Sequence, residues 1–243
     1  MKESILEKLK CFEDNNFNFD PIKHKYVYGD DEYISVTKFI EKFHKKFNED
    51  YWSLRKAQEQ GVPQQWILNK WQKKNDYSRE IGSDTHDWIE NYFKGNWKKL
   101  PTNLDTINRI NKFNVMYAER LYKLEPLAFE LKVFSKKYKI AGMIDSIFIY
   151  RGNLIIVDWK TNKRFDTEET LKYKERLFAP FQDYYKCHLN EYSIQISLYA
   201  LILKEYGFNV TGGYLVHIGP GDEPANMYKT VNMIPLLKEY LDN

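Results

Sequence analysis

Cysteine is nearly absent from this chain. Only Cys11 and Cys187 occur, which leaves room for at most one bridge and excludes a disulfide framework or a cysteine-only metal site. A reducing compartment is the expectation. Long apolar runs are missing as well: Met1 to Lys10 carries no hydrophobic core of the signal-peptide kind, and no stretch approaches the ~20 apolar residues that a bilayer crossing needs. We therefore expect a soluble, cytoplasmic protein with no membrane partner, in the host cell if the source is viral. Proline and glycine are few, 8 and 11 in 243 residues, and 43% of the residues are hydrophobic. Such a chain is not disordered and can bury a core as one larger domain or two small ones. Charge of one sign does not dominate either. The 37 basic and 34 acidic residues leave a net charge of +3, too little for the overall field to dictate a polyanionic partner.

What is present is more telling. Lysines cluster as Lys42, Lys45 and Lys46, as Lys70, Lys73 and Lys74, as Lys94, Lys98 and Lys99, and as Lys132, Lys136, Lys137 and Lys139, in a chain that is 16% aromatic. Cations along a backbone with rings under the bases suit a single-strand groove. Solvated helix faces over an aromatic core account for any one cluster equally well.

The chain is organised around Ala141 to Thr161, two apolar runs that each carry an acid where a buried strand should have none. The β-branched run Leu154 to Val157 favours an extended chain packed on both faces, and an adjoining Asp158 is costly to bury without a cation. If residues 139–149 and 154–160 form a hairpin around Tyr150 to Asn153, the likeliest turns pair positions whose numbers sum to an odd value, such as Ile149 with Leu154. Any odd sum sets Asp145 on the same face as Asp158 and Lys160, because strand side chains alternate with period two. Two carboxylates that close repel unless a divalent cation lies between them, and oxygen ligation suits Mg²⁺ or Mn²⁺. The lysine beside them can hold a water or a developing oxyanion.

The flanking segments supply scaffold and candidate partners. Residues 17–36, with alternating aromatics about Gly29 to Glu32, read as a small hairpin; Ser35 or Thr37 caps a helix through Phe39, Ile40, Phe43 and Phe47. Residues 49–75 read as helical with a break at Gly61 to Pro63, and Trp52, Trp66 and Trp71 as core in preference to base-stacking platforms. In a second helical stretch, residues 78–93, His86 and Glu90 lie four apart on one face. A helix follows over about 105–122. Residues 127–134 alternate as a strand in which Glu130, Lys132 and Phe134 share a face, so that Glu130 is either a third acid near the site or an exposed strand residue. Residues 162–190, with Lys163 and Arg164, read as a loop and short helix near the substrate. Residues 191–206 read as a helix with Gly207 as its C-cap, with Gln195 and Tyr199 projecting together. A closing strand spans 212–218, and 230–241 is a strand or helix.

Four segments in order resemble the motifs of one family. Gly82 to Glu90 resembles its histidine motif, Gly142 to Asp145 its PD motif, Asp158 to Thr161 its (D/E)XK motif, and Gln195 to Tyr199 its QxxxY motif. The set resembles RecB-like nucleases of the PD-(D/E)XK superfamily. A lone acid-x-base triplet is weak, since the composition alone yields about 5 by chance; four in order, over residues 80–218, are specific.

The resemblance implies an α/β (α+β) restriction-endonuclease-like core, with a central mixed sheet flanked by helices. Residues 1–125 would form an N-terminal hairpin and helical region carrying the histidine motif, and 126–243 the catalytic core, together one compact domain. It implies that Asp145, Asp158 and the backbone carbonyl of Trp159 ligate Mg²⁺ or Mn²⁺, with His86 as a further ligand. Lys160 would position the attacking water, with Gln195 and Tyr199 on DNA or supporting the site; Glu130, Glu90, Lys163 and Arg164 are further candidates for site support or DNA contact. The expected reaction is hydrolysis of DNA from single-stranded or duplex ends to 5′-phosphates, in recombination, repair or DNA processing.

Departures from the family pattern narrow this. Two cysteines cannot hold the iron–sulfur cluster of the four-cysteine members, so none is expected. Residue 144 is Ile where the superfamily name has Pro. No helicase motif occurs, so a stand-alone nuclease, or one subunit with a recombination or replication partner, is expected. The oligomeric state is open. Two other readings stay open as well: a structure-specific or flap endonuclease, and an inactive nuclease-like subunit that only binds DNA.

Overall fold

The computed structural model describes residues 1–243 other than Ile22, His24 and Lys98. Two residues of the expected N-terminal hairpin, Ile22 and His24, and one lysine of the 94–99 cluster thus lie outside the described residues.

The turn at Arg151 and Gly152 sets the centre of the fold. Both residues take positive φ, 50° and 80°, the requirement of a two-residue turn whose twist matches its strands. It joins β5 (Ile140–Tyr150) to β6 (Asn153–Lys160) with Ile149 opposite Leu154 and Ser146 opposite Val157. That is the odd-sum register expected from the sequence. One edge of β5 is covered along its length by β4 (Glu125–Ser135), antiparallel. The other edge is shared. β6 takes residues 146–150, while β3 (Asp31–Ser35) pairs in parallel with Ile140 and Ala141. Between them the sheet forks, just where Asp145 faces Asp158.

The rest of the eight-stranded mixed sheet extends from this fork. On one side β1 (Phe17–Asp20), β2 (Lys25–Tyr28) and β3 form an antiparallel meander. On the other, β7 (Val210–His217) runs parallel to β6, and β8 (Asn226–Lys229), absent from the sequence expectation, closes the edge. The N-terminal strands and residues 126–243 therefore share a single sheet, which crosses the boundary at 125/126.

Helices cover both faces. On one lie α1 (Lys2–Leu9), α2 (Val36–Ile40), α6 (His188–Glu205) and α7 (Ile234–Asp242), which pack with Ile144, Ile147, Leu154, Ile156 and Leu215. On the other, α4 (Gln64–Phe93) and α5 (Leu104–Met116) bring Trp88, Ile89 and Phe113 against Phe148, Val157 and Trp159. Odd and even residues of β6 divide between these cores, so Asp158 and Lys160 fall on the α6 side.

Several local expectations change. Residues 2–9, to which no element is assigned from the sequence, form a helix because Leu9 and Phe12 find buried sites in the larger core. Ser35 is the cap of α2, accepting the Lys38 amide at 3.1 Å, but the helix ends at Ile40 and Phe47 is exposed. α3 (Glu49–Gln60) stops at Gly61 in a left-handed cap, and α4 then runs 30 residues without interruption, joining two segments read separately. Residues 162–187 hold no helix; turns and backbone hydrogen bonds such as Leu177 to Tyr184 organise them. No helix among the described residues is long and apolar enough to cross a membrane.

Gly142 shows how closely α6 approaches the fork. A Cβ there would sit 2.7 Å from Tyr199 Cε1 and 3.1 Å from Val36 Cγ2, both in the buried core. Gly142→Ala should therefore lose about 1–3 kcal/mol, read as a lower urea midpoint with unchanged slope; an unaltered midpoint would show that Tyr199 has room to move.

Candidate active site

Three acids line up across three strands. The pairs Phe129/Ser146 and Leu131/Ile144 set Glu130 opposite Asp145, and Ser146/Val157 sets Asp145 opposite Asp158. The ladder lapses at this row. Trp159 N–H donates instead to Asp145 Oδ2 at 2.9 Å, so a carboxylate stands in for the carbonyl that a continuing strand would offer. Glu130 takes φ 47°, a left-handed conformation that costs on the order of 1–3 kcal/mol for a residue with a side chain. It breaks the alternation expected over 128–134, since Val133 and Phe134 are both fully buried.

Because the sheet is open at the row, helices on both faces reach it. From α4, His86 Nδ1 lies 3.5 Å from Asp145 Oδ2 and 4.0 Å from Glu130 Oε1. From α6, Gln195 spans the opposite side: Lys160 Nζ donates to Gln195 Oε1 at 3.1 Å, and Gln195 Nε2 donates to Asp158 Oδ1 at 3.4 Å and to the Tyr199 hydroxyl at 3.5 Å. Lys160 Nζ also lies 2.7 Å from Asp158 Oδ2.

Burial and like charge govern the electrostatics. Burial lifts the Asp158 carboxyl above its usual range and Asp145 adds to the lift, with Lys160 opposing. For Lys160, burial is the largest influence and works to lower the ammonium, but Asp158, Tyr192 and Asp145 together outweigh it and the net shift is upward. At 2.7 Å from Asp158, with Gln195 Oε1 as a second acceptor, the lysine is held charged. Glu130 is pushed up to about 8, first by burial, then by Asp145 and more weakly by Glu90, Asp87 and Asp158. Burial also raises the Tyr199 phenol well above its ordinary value, which keeps it a neutral donor.

The donor set fits a divalent cation. His86, Glu130 and Asp145 each offer one ligand atom, all within 4.8 Å of one another, and two ligands at ~2.0–2.2 Å on either side of an ion stand about as far apart. Glu130, left open between a third acid and an exposed residue, is in this group. Asp158 is not: its oxygens face Lys160 and Gln195, where the sequence placed the cation between Asp145 and Asp158.

The other expected residues lie further out. Glu90 shares the His86 face of α4 but pairs with Lys94 Nζ at 2.6 Å, and its charge reaches the row through Glu130. The Trp159 side chain is buried in the second core. Lys163 is exposed on the loop after β6, and Arg164 pairs with Asp166 at 3.4 Å; neither touches the acid row. One neighbour went unread: Tyr192, whose ring centroid lies 4.1 Å from Lys160 Nζ. Its position three residues before Gln195, on the same helical face, was the available signal. Both cysteines are free.

Comparison with known proteins adds an independent line. Residues 38–228 match the PD-(D/E)XK nuclease superfamily. An ATP-dependent helicase/nuclease subunit from Streptococcus pyogenes serotype M3 is 30% identical over 116 residues, 46% of this chain and 8% of that protein. Its serotype M2 counterpart is 29% identical over 117 residues with the same coverage. The chain thus spans about 8% of the length of these curated relatives. A solved structure titled "Crystal structure of SSO0001" covers 55% of this chain and 56% of its own at a TM-score of 0.26 and 16% identity, a likeness too slight to build on.

Glu130 supplies a test of the acid row. Folding raises its carboxyl from 4.5 to about 8, so the folded, cation-free protein holds a proton that the unfolded chain releases. This contribution to stability is complete below about pH 4.5 and disappears as pH rises through about 8. Thermal melts in EDTA should show the midpoint falling across that window, and Glu130→Gln should flatten the fall. Added Mn²⁺, which must displace the proton, should raise the midpoint more at the alkaline end. Identical pH profiles for wild type and Glu130→Gln would remove Glu130 from the row.

Proposed function

This chain belongs to the PD-(D/E)XK nuclease superfamily, and from that membership together with its acid–lysine row we propose that it is a Mg²⁺- or Mn²⁺-dependent deoxyribonuclease. On this reading it hydrolyses phosphodiester bonds from DNA ends and leaves 5′-phosphates. The observation that carries the proposal is a charged Lys160 held between Asp158 and Gln195, with Asp145 and Glu130 in register with Asp158 on the neighbouring strands.

His86, Glu130 and Asp145 would hold the cation, with Asp158 and the Trp159 carbonyl beside it; the ion supplies Lewis acidity toward a phosphate oxygen and lowers the pKa of a bound water. The protein's own groups do the rest. Lys160 holds the attacking water by its ammonium and faces the negative charge that builds on the phosphorus oxygens. Gln195 keeps Lys160 and Asp158 in register by bonding to both, and Tyr199 steadies Gln195 from one turn further along the helix. Water oxygen bonds to phosphorus as the P–O3′ bond breaks, so the 3′-hydroxyl leaves and the phosphate stays on the 5′ side. Recombination, repair or DNA processing, and a helicase-type or replication partner, suit the similarity to a helicase/nuclease protein.

Digests of end-labelled linear DNA, single-stranded and duplex, and of closed circles test this with Mg²⁺ and with Mn²⁺. Linear DNA should be degraded and circles spared. Asp145→Asn, Asp158→Asn and Lys160→Ala should each lower the rate by about a thousandfold or more, equivalent to ~4 kcal/mol of the barrier, while melting as folded proteins. Wild-type cleavage in all three would overturn the site, and cleaved circles would turn the reading to an endonuclease.

A further inference from the structure

Half of α4 lies outside the packed body. From His44 to Glu80 the chain runs through α3 and back along α4, and only Ser53, Ala57 and Ile67 in this stretch are buried. These three residues are the seam between the two helices; the rest forms a projecting arm. Its roots flank the acid row. At one, Phe43 packs on Phe181 at 4.8 Å and His44 meets Glu191 at 3.3 Å, at the start of the helix bearing Gln195. At the other, Ile81 enters the core one turn before His86.

The arm's composition is unusual for a surface. It exposes Phe47, Tyr51, Trp52, Trp66 and Tyr77, with Phe47 67% exposed, Trp52 41% and Trp66 48%. Over residues 44–80 eight basic residues face five acidic ones, an excess equal to the whole chain's net charge of +3. Cations sit on the rings: Lys70 Nζ lies 4.9 Å from the Trp66 centroid and the Arg55 guanidinium 5.4 Å from that of Trp52.

The geometry points to the arm as a docking surface for single-stranded DNA, with Trp52 and Trp66 as stacking platforms and Lys70, Lys73 and Lys74 along the backbone. Exposed rings gain nothing from duplex DNA, whose base faces are already stacked inside; a single strand offers every base face. Protein interfaces select aromatics but are depleted in lysine, so rings among lysines favour a nucleic acid over a protein partner. Trp66 lies 20 residues before His86 on one helix, about 30 Å at ~1.5 Å per residue. Even at the ~3.4 Å rise of stacked DNA about nine nucleotides bridge that distance, and a more extended single strand needs fewer. Only the destination of the strand rests on the proposed nuclease reading; the docking does not.

The test is binding in EDTA, where no cleavage occurs. A fluorescent oligo-dT of about 20 nucleotides and a blunt duplex of equal length are titrated against wild type and W52A/W66A, with melting curves for both proteins. Both positions are exposed and helical, where alanine is favourable, so folding should be retained. The double variant should bind oligo-dT about tenfold or more weakly while its duplex affinity changes less than twofold, and W52F/W66F should recover part of the loss. K70A/K73A/K74A should flatten the salt dependence of oligo-dT binding. Equal oligo-dT affinity for wild type and W52A/W66A overturns the proposal, as it must if the rings serve a protein interface instead. Absence of cleavage with Mg²⁺ and Mn²⁺ would overturn the nuclease reading and leave this result standing.

Discussion

One hydrogen bond, from the Trp159 amide to the Asp145 carboxylate, governs the architecture of the site. An antiparallel hairpin that begins with a two-residue turn would ordinarily continue its ladder to the ends of both strands. Here a side chain takes the place of the carbonyl, and the two strands part at the acid row. Everything else follows from that opening. The vacated edge of β5 goes to β3 in parallel, which ties the N-terminal meander to the sheet. The gap also lets helices from opposite faces meet, since α4 brings His86 and α6 brings Gln195 to acids that a closed sheet would have kept on one side. Gly142 is needed for the same reason, because Tyr199 fills the space that a β-carbon would occupy.

A row of three acids is costly, and its neighbours show how the cost is divided. Asp158 is offset by Lys160 at 2.7 Å, an ion pair whose burial alone would not stabilise the fold. Asp145 is met by His86 and by a backbone amide. Glu130 has only His86 at 4.0 Å and is kept protonated by burial and by its neighbours. The row thus separates into a lysine-paired half toward α6 and a histidine-flanked half toward α4. That division suits a centre in which one side receives a cation and the other presents an ammonium to the reacting phosphate. The two apolar layers, with Phe113, Phe134, Phe148 and Phe181 fully buried, supply the stability against which such a row can be held.

The body and the arm solve different problems. In the body, aromatics pack edge to face in the cores, as Phe113 does on Trp159 at 5.5 Å and Trp88 at 6.1 Å. On the arm the same residue types face solvent with lysine or arginine over them. Sequence alone treats these two populations alike, and read Trp52 and Trp66 as core. What separates them is whether a second layer stands opposite; Trp52 and Trp66 have none, and the arm meets the body near its roots, as where Tyr77 donates to Asp105 of α5 at 2.7 Å.

The hairpin register, the shared face of Asp145, Asp158 and Lys160, and the paired projection of Gln195 and Tyr199 are properties of chain geometry over a few residues. Period two, period 3.6 and a turn of two positive-φ residues determine them, so the sequence by itself determined them, along with the family and the mixed sheet between helices. Glu130's turn toward Asp145 was not legible, because it depends on a positive φ of 47° within a strand, which local pattern does not predict for a residue with a side chain. Nor was the convergence of His86 and Glu130 on Asp145, or the hold of Gln195 on Asp158 and Lys160, since these contacts join elements far apart in sequence. The continuity of α4 and the exposure of its first half belong to the same class. Local pattern specifies which way a side chain points along its own element, whereas burial and partnership depend on what the rest of the chain brings opposite, and the tertiary structure alone decided that.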